Sequence, residues 1–239
     1  MKKRSSRLRF GPLGPRCVHV CVDMQRLFAE PTPWQTPWMP RVLPKVLSLV
    51  AVHAAQTIFT RFVPLDRPGQ GVGTWRRYYE RWADMTLQRL GRERVALLPP
   101  LAAYVPPAQV IDKRVYSPWQ DPALRQALQQ RGADTIVVSG GETDVCVLST
   151  VLGAVDLGYR VVIAEDALCS SSDETHDALI TVYENRYSQQ VEAVSVAEIL
   201  AHWPDVAGGR ASPAAANTAA NTAANTAVNT AARAAKSRT

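Results

Sequence analysis

A chain of 239 residues with 46% hydrophobic side chains can bury a full core and fits one α/β domain plus tails. Its net charge of +6 sits at the ends: residues 1–16 hold six basic side chains and no acid, residues 205–239 hold four against Asp205, and the stretch between is near −3. That excludes a fold built around nucleic-acid binding. Gly11, Pro12, Gly14 and Pro15 interrupt the basic start, so neither a signal peptide nor a membrane span is expected.

In chain order, residues 1–16 read as a disordered basic arm. Val18–Val22 is a short apolar strand with Asp23 at its C-terminal end and Met24, Gln25 and Phe28 close behind. Residues 29–40, with four prolines and two tryptophans, form a loop over a pocket. Arg41–Ala55 has the spacing of an amphipathic helix. Thr57–Val63 is a second strand, Pro64–Thr74 a Pro/Gly loop, and Trp75–Leu90 a helix with an aromatic, arginine-rich start. Gln109–Asp112 is a strand ending at Lys113, and Tyr116–Trp119 a loop. A helix over Asp121–Arg131 follows, with Gly132 as its C-cap.

The informative stretch is Thr135–Thr150. Ile136–Val138 is a β-branched run suited to a buried strand, and Gly140 and Gly141 mark a turn. Thr143 and Asp144 offer capping oxygens for a helix running to about Leu157. Cys146 then falls in its first turn, where unpaired N–H groups favour a thiolate and can hold an oxyanion. Arg160–Ala164 is a strand, and a helix capped by Ser172 or Asp173 runs to Arg186. Gln190–Val194 is the last strand, and Ser195 caps a final helix. Residues 205–239, of which 214–232 repeat Ala-Ala-Asn-Thr with one Val variant, have no apolar face and read as a disordered low-complexity tail. Alternating strands and helices predict a three-layer α/β/α, Rossmann-like domain over 17–204, with a largely parallel, doubly wound, six-stranded sheet.

Ligands of open parallel sheets bind beyond the C-terminal ends of the strands. Asp23, Lys113 and Cys146 fall at such ends. A turn aspartate, a solvated lysine and a buried apolar cysteine are the ordinary alternatives. Together, however, a thiol nucleophile, a proton-moving carboxylate and an ammonium that holds both anions make a coherent set.

The segments VCVDMQRLF (20–28), DKRVYSPW (112–119), SGGETDVCVLSTVLGAVDLGYRVVIAEDAL (139–168) and SSSDETHDALI (170–180) resemble the isochorismatase-like cysteine hydrolase superfamily. That superfamily includes nicotinamidases, N-carbamoylsarcosine amidases, ureido-group hydrolases and isochorismatases. The resemblance implies Asp23 as general base and acid, Lys113 as the third triad member and Cys146 as nucleophile. It further implies a cis peptide between Gly141 and Glu142, with the N–H groups of Glu142 and Cys146 forming an oxyanion hole. Metal-dependent nicotinamidases carry histidines after the second strand. Here that region reads TRFVPLDRPGQ, so no metal and no cofactor are expected.

The expected activity is hydrolysis of a C–N bond in a small amide, carbamoyl or ureido compound through a thioester acyl-enzyme. The alternatives are isochorismatase-type vinyl-ether hydrolysis and a non-catalytic α/β binding or scaffold role. Candidate pocket residues are Phe28, Trp75, Tyr79, Tyr116, Trp119 and Thr143, with Trp34, Trp38, Arg76, Arg77 and Tyr78 as further candidates. The expected partner is a small-molecule substrate, with no specific nucleic acid and no membrane. The chain is expected to form a homo-oligomer, dimer or tetramer, in the cytoplasm, where a reducing environment suits four cysteines without a disulfide framework.

Overall fold

Six strands carry the fold: β1 (Cys17–Val22), β2 (Thr57–Phe62), β3 (Gln109–Lys113), β4 (Thr135–Gly141), β5 (Arg160–Cys169) and β6 (Val191–Val194). In this computed structural model, which describes residues 7–204, they form one parallel sheet in the order β3-β2-β1-β4-β5-β6. The chain winds outward from β1 to β3, returns to the centre, and winds outward again from β4 to β6. The reversal falls between β1 and β4, and a crevice opens there beyond the strand ends.

The helices are α1 (Arg26–Ala29), α2 (Met39–His53), α3 (Thr74–Arg81), α4 (Leu87–Leu90), α5 (Pro99–Ala102), α6 (Pro122–Gln130), α7 (Leu148–Asp156), α8 (Asp173–Arg186) and α9 (Val196–His202). They cover both sheet faces. One apolar cluster joins Val46, Leu49 and Val50 of α2 and Ile199 of α9 to alternate strand residues such as Phe59, Val137 and Val162. The other joins Leu124 and Leu128 of α6, Val151 of α7 and Tyr183 of α8 to Val20, Ile58, Ile136 and Ile163. Strands buried on both faces explain why they read as continuous apolar runs. No helix among the described residues is long and apolar enough to cross a membrane.

Several expectations need correction. Residues 7–16 are not a disordered arm. Leu8 and Leu13 are buried in the α2/α9 cluster, Leu13 N–H donates to the His202 carbonyl, and Arg7 pairs with Glu165 and Glu184. Two leucines and these partners outweigh the segment's basic, glycine- and proline-rich composition. Residues 1–6, and the tail over 205–239, lie outside the described residues.

The helix expected over Trp75–Leu90 is broken. α3 ends at Arg81, a 3₁₀ turn spans Ala83–Met85, and α4 starts afresh at Leu87. There the N–H groups of Leu87 and Gln88 bond to the carbonyls of Leu65 and Asp66, so the Pro/Gly loop takes donors that a continuous helix would use. Gly140 and Gly141 do not turn the chain. They extend β4, with Gly140 beside Val22 and Leu168 and Gly141 beside Cys169. β5 accordingly runs on past Ala164 to Cys169.

Gly140 has φ of +104°, and a Cβ there would collide with the Val22 carbonyl. Only glycine permits β1 and β4 to approach this closely at the point where the crevice opens.

Candidate active site

Asp23 directly follows β1 and takes a left-handed φ of 51°, which aspartate tolerates better than most residues. Its N–H bonds to the Thr60 carbonyl of β2, and the Thr60 hydroxyl donates to Asp23 Oδ1 at 2.7 Å. Gln25 locks the next turn. Its amide nitrogen donates to the carbonyls of Phe62 and Val95, and its oxygen accepts the Phe62 N–H. Lys113 ends β3. Its Nζ lies 2.7 Å from Asp23 Oδ2 and 3.3 Å from Cys146 Sγ, and donates to the Val115 carbonyl. Three strand ends thus bring the carboxylate, ammonium and thiol into contact, all buried.

The segment carrying Cys146 is not a simply capped helix start. The Gly141–Glu142 peptide is cis. The Glu142 carbonyl accepts the N–H groups of both Val145 and Val147, which gives a wide first turn before α7. Thr143 and Asp144 do not cap it. The Thr143 hydroxyl donates to the Cys169 carbonyl, so its oxygen accepts from His176 Nδ1. Asp144 accepts the hydroxyls of Ser170 and Thr175, and Glu142 accepts the Ser171 N–H. These bonds pin the Cys146 segment to the end of β5 and the start of α8.

Electrostatics correct the expected resting thiolate. Burial pushes the Cys146 thiol well above the usual range, the Asp23 carboxylate adds to this, and Lys113 opposes without prevailing. Burial disfavours the Lys113 ammonium, but Asp23 and Cys146 outweigh it and raise its pKa. The resting trio is a thiol beside a carboxylate–ammonium pair, with no net charge. The helix-start argument underrates what removing a thiolate from water costs.

A cavity of about 240 Å³ opens onto Cys146. Of the pocket residues expected from the sequence, Phe28 and Tyr116 line it, as do Trp34 and Tyr78. Trp75 stands behind the wall, against Tyr78 and Tyr116. Tyr79 is fully buried. Trp119 lies against Gly153 of α7 and donates to the Thr150 carbonyl, so it is a packing residue. Thr143 is buried in the bonds described above. Sequence reasoning missed Phe62, Trp82 and the side chains of Glu142 and Ser171, all on the wall. For Phe62 and Glu142 the signal was available, since each lies at or next to a strand end. Among the described residues no group of three or more His, Cys, Asp or Glu side chains is placed to hold a metal ion.

A doubly wound parallel sheet with carboxylate, ammonium and thiol meeting at its switch point marks an α/β protein with a site suited to covalent chemistry. Residues 17–195 match the Isochorismatase domain, and the chain belongs to the isochorismatase family. It is 39% identical over 90 residues to the uncharacterized isochorismatase family protein YecD of Escherichia coli O157:H7, covering 38% of this chain and 46% of that protein. With Nicotinamidase 3 of Arabidopsis thaliana it shares 28% over 74 residues, 31% of this chain and 37% of the relative. The chain thus spans less than half the length of these curated relatives. A cysteine hydrolase from Pseudomonas syringae pv. phaseolicola 1448A superposes with a TM-score of 0.69 at 25% identity, covering 84% of this chain and 98% of that one. N-carbamoylsarcosine amidase from Thermoplasma acidophilum shares the fold, with a TM-score of 0.61 at 18% identity over 75% of this chain and 96% of that one.

Proposed function

We propose that the protein is a hydrolase that cleaves a C–N bond of a small amide, carbamoyl or ureido compound through a thioester on Cys146. The observation that carries this reading is the placing of Lys113 Nζ 2.7 Å from Asp23 and 3.3 Å from Cys146, beside an open cavity. A binding protein has no need of three buried ionisable groups in contact.

The first step moves the thiol proton to the Asp23 carboxylate. This leaves the net charge of the buried trio unchanged, so the desolvation that raises the free thiol does not oppose the transfer. The thiolate attacks the substrate carbonyl carbon, a C–S bond forms, and the carbonyl electron pair moves onto oxygen. The N–H groups of Glu142 and Cys146 receive that oxyanion. The wide first turn supports this role, because the Glu142 carbonyl takes the N–H groups on either side of Cys146. Collapse breaks the C–N bond, and the departing amine or ammonia takes the proton from Asp23. Asp23 then accepts a proton from water, whose oxygen attacks the thioester; collapse breaks the C–S bond and releases the acid, and Asp23 passes its proton to the sulfur, which restores the thiol and the carboxylate. Lys113 holds the carboxylate in place and balances negative charge throughout.

The test is a screen of small amides for ammonia release, followed by mass spectrometry of the Cys146 peptide under turnover. The expected results are an acyl mass on Cys146 and loss of at least about 10⁴-fold in rate for Cys146→Ala. Full turnover by Cys146→Ala, or loss on chelation with recovery on adding zinc or iron, would overturn the mechanism.

A further inference from the structure

The cavity walls carry a charge signature that bears on which amide fits, an inference that rests on the function proposed above. Phe28, Trp34 and Tyr78 meet on one side of the cavity, with Trp34 as the hub. Its ring lies 6.4 Å from Phe28 in a stacked arrangement and 5.7 Å from Tyr78 in a tilted one. Two further wall rings already hold cations: Lys113 sits 5.1 Å from the Phe62 centroid and the exposed Arg81 guanidinium 5.4 Å from that of Trp82. Among the described residues, Phe28, Trp34 and Tyr78 hold none.

Glu142 is also on the wall, half-buried. Its carboxylate accepts a backbone N–H from Ser171 and meets no cation within ion-pair distance among the described residues. None of the described lining residues is Lys, Arg or His. Lys113 is no free anion site, since Asp23 already neutralises it. A carboxylate-bearing substrate would therefore enter an aromatic pocket with an unpaired negative charge and no counter-ion. Electron-rich rings that share a cavity wall with a lone carboxylate offer, by contrast, the chemistry that recognises an alkylammonium group.

We propose that the pocket selects its substrate by charge, taking an amide whose remote end is an alkylated ammonium, with Glu142 and the Phe28–Trp34–Tyr78 rings as the specificity-determining residues. The rings would surround the methyl groups while Glu142 balances the charge, leaving the amide carbonyl over Cys146.

Three probes of similar reach separate charge from shape: trimethylammonioacetamide, its neutral isostere 3,3-dimethylbutanamide, and malonamic acid, which is anionic. Their binding is measured by calorimetry on Cys146→Ala, so the result does not depend on turnover. The cation is expected to bind about 5–30-fold tighter than its isostere, matching the range of desolvated cation–π contacts, and the anion to bind weakest. Glu142→Gln, which keeps an acceptor for Ser171, should shrink the gap between cation and isostere, and Trp34→Leu should weaken the cation more than the isostere. Equal binding of the two isosteres, or tightest binding by malonamic acid, would overturn the proposal. If the binding order holds but wild-type protein releases no ammonia from any probe, the charge selection stands and the hydrolase reading falls.

Discussion

His19 and Asp23 lie four residues apart on and just beyond the same strand, both wholly buried, and they are used in opposite ways. His19 sits mid-sheet. The Thr57 hydroxyl gives its hydrogen to the His53 carbonyl, so its oxygen accepts from His19 Nδ1, and Nε2 accepts from the Ser139 hydroxyl. Every polar atom of the ring is matched by a neutral partner. Burial, with His53 adding to it, lowers the His19 pKa to about 3, so the ring stays uncharged. Asp23 sits where the strand ends, keeps a charged partner in Lys113, and lies beside Cys146, which lines the cavity. The same strands, β1, β2 and β4, support both clusters. What differs is whether the polar atoms are closed off by hydroxyls or left beside an opening, and only the second arrangement has chemistry to offer.

The largest effect should come from breaking the charged cluster on one side only. Lys113→Met strands a buried carboxylate and should cost about 3–5 kcal/mol by denaturant titration, with turnover lost. Adding Asp23→Asn should recover much of that stability and none of the activity. A single variant as stable as wild type would show that water reaches the pair.

Gly140→Ala attacks the seam between the two clusters. A positive φ and a collision with the Val22 carbonyl should cost about 2–4 kcal/mol, read as a lower unfolding midpoint. Activity should fall even at temperatures where the variant stays folded, since Asp23 follows Val22 directly.

The neutral cluster should announce itself through pH. A histidine held neutral in the fold but ordinary when unfolded gives stability that is complete above about pH 6.5 and lost as pH falls from there towards the folded value of about 3. At pH 5 the loss from this one group should be about 2 kcal/mol. His19→Gln should flatten the stability profile between pH 7 and 5. An unchanged slope would remove His19 from the account.

The smallest effect should come from exposed charge. Arg7 bonds both Glu165 and Glu184 at 2.7 Å, yet Arg7→Ala should cost under about 1 kcal/mol, because these side chains stay partly exposed to water. Leu13→Ala in the same segment should cost about 2–4 kcal/mol, since Leu13 is only 2% exposed.

Strand positions and the residues at their ends were legible because buried parallel strands write themselves as β-branched runs, and Asp23, Lys113 and Cys146 interrupt or follow such runs. The cavity wall was harder to read. Trp119 and Tyr78 are equally aromatic and both lie near loops or helix starts. Whether one packs on Gly153 and the other faces the cavity depends on how α3 and α7 seat on the sheet, which no local pattern encodes. The ordered segment over 7–16 was hidden for a similar reason. Its anchors, Leu8 and Leu13, are too few to make a periodic signal, and their partners lie up to 190 residues away. The thiol's protonation was misjudged because helix position is a local feature and burial is not.

That same segment sets a timetable for biosynthesis. Arg7 N–H bonds to Glu198, Arg9 to the Val191 carbonyl and Leu13 to His202, so the segment that precedes β1 docks on partners made only after β5. Until α9 leaves the ribosome, the cluster that buries Leu8 and Leu13 lacks its α9 side, and the outer edge at β6 is incomplete. Closure of the domain therefore waits for α9, and nascent chains stalled before residue 190 should retain a protease-sensitive segment over 7–16.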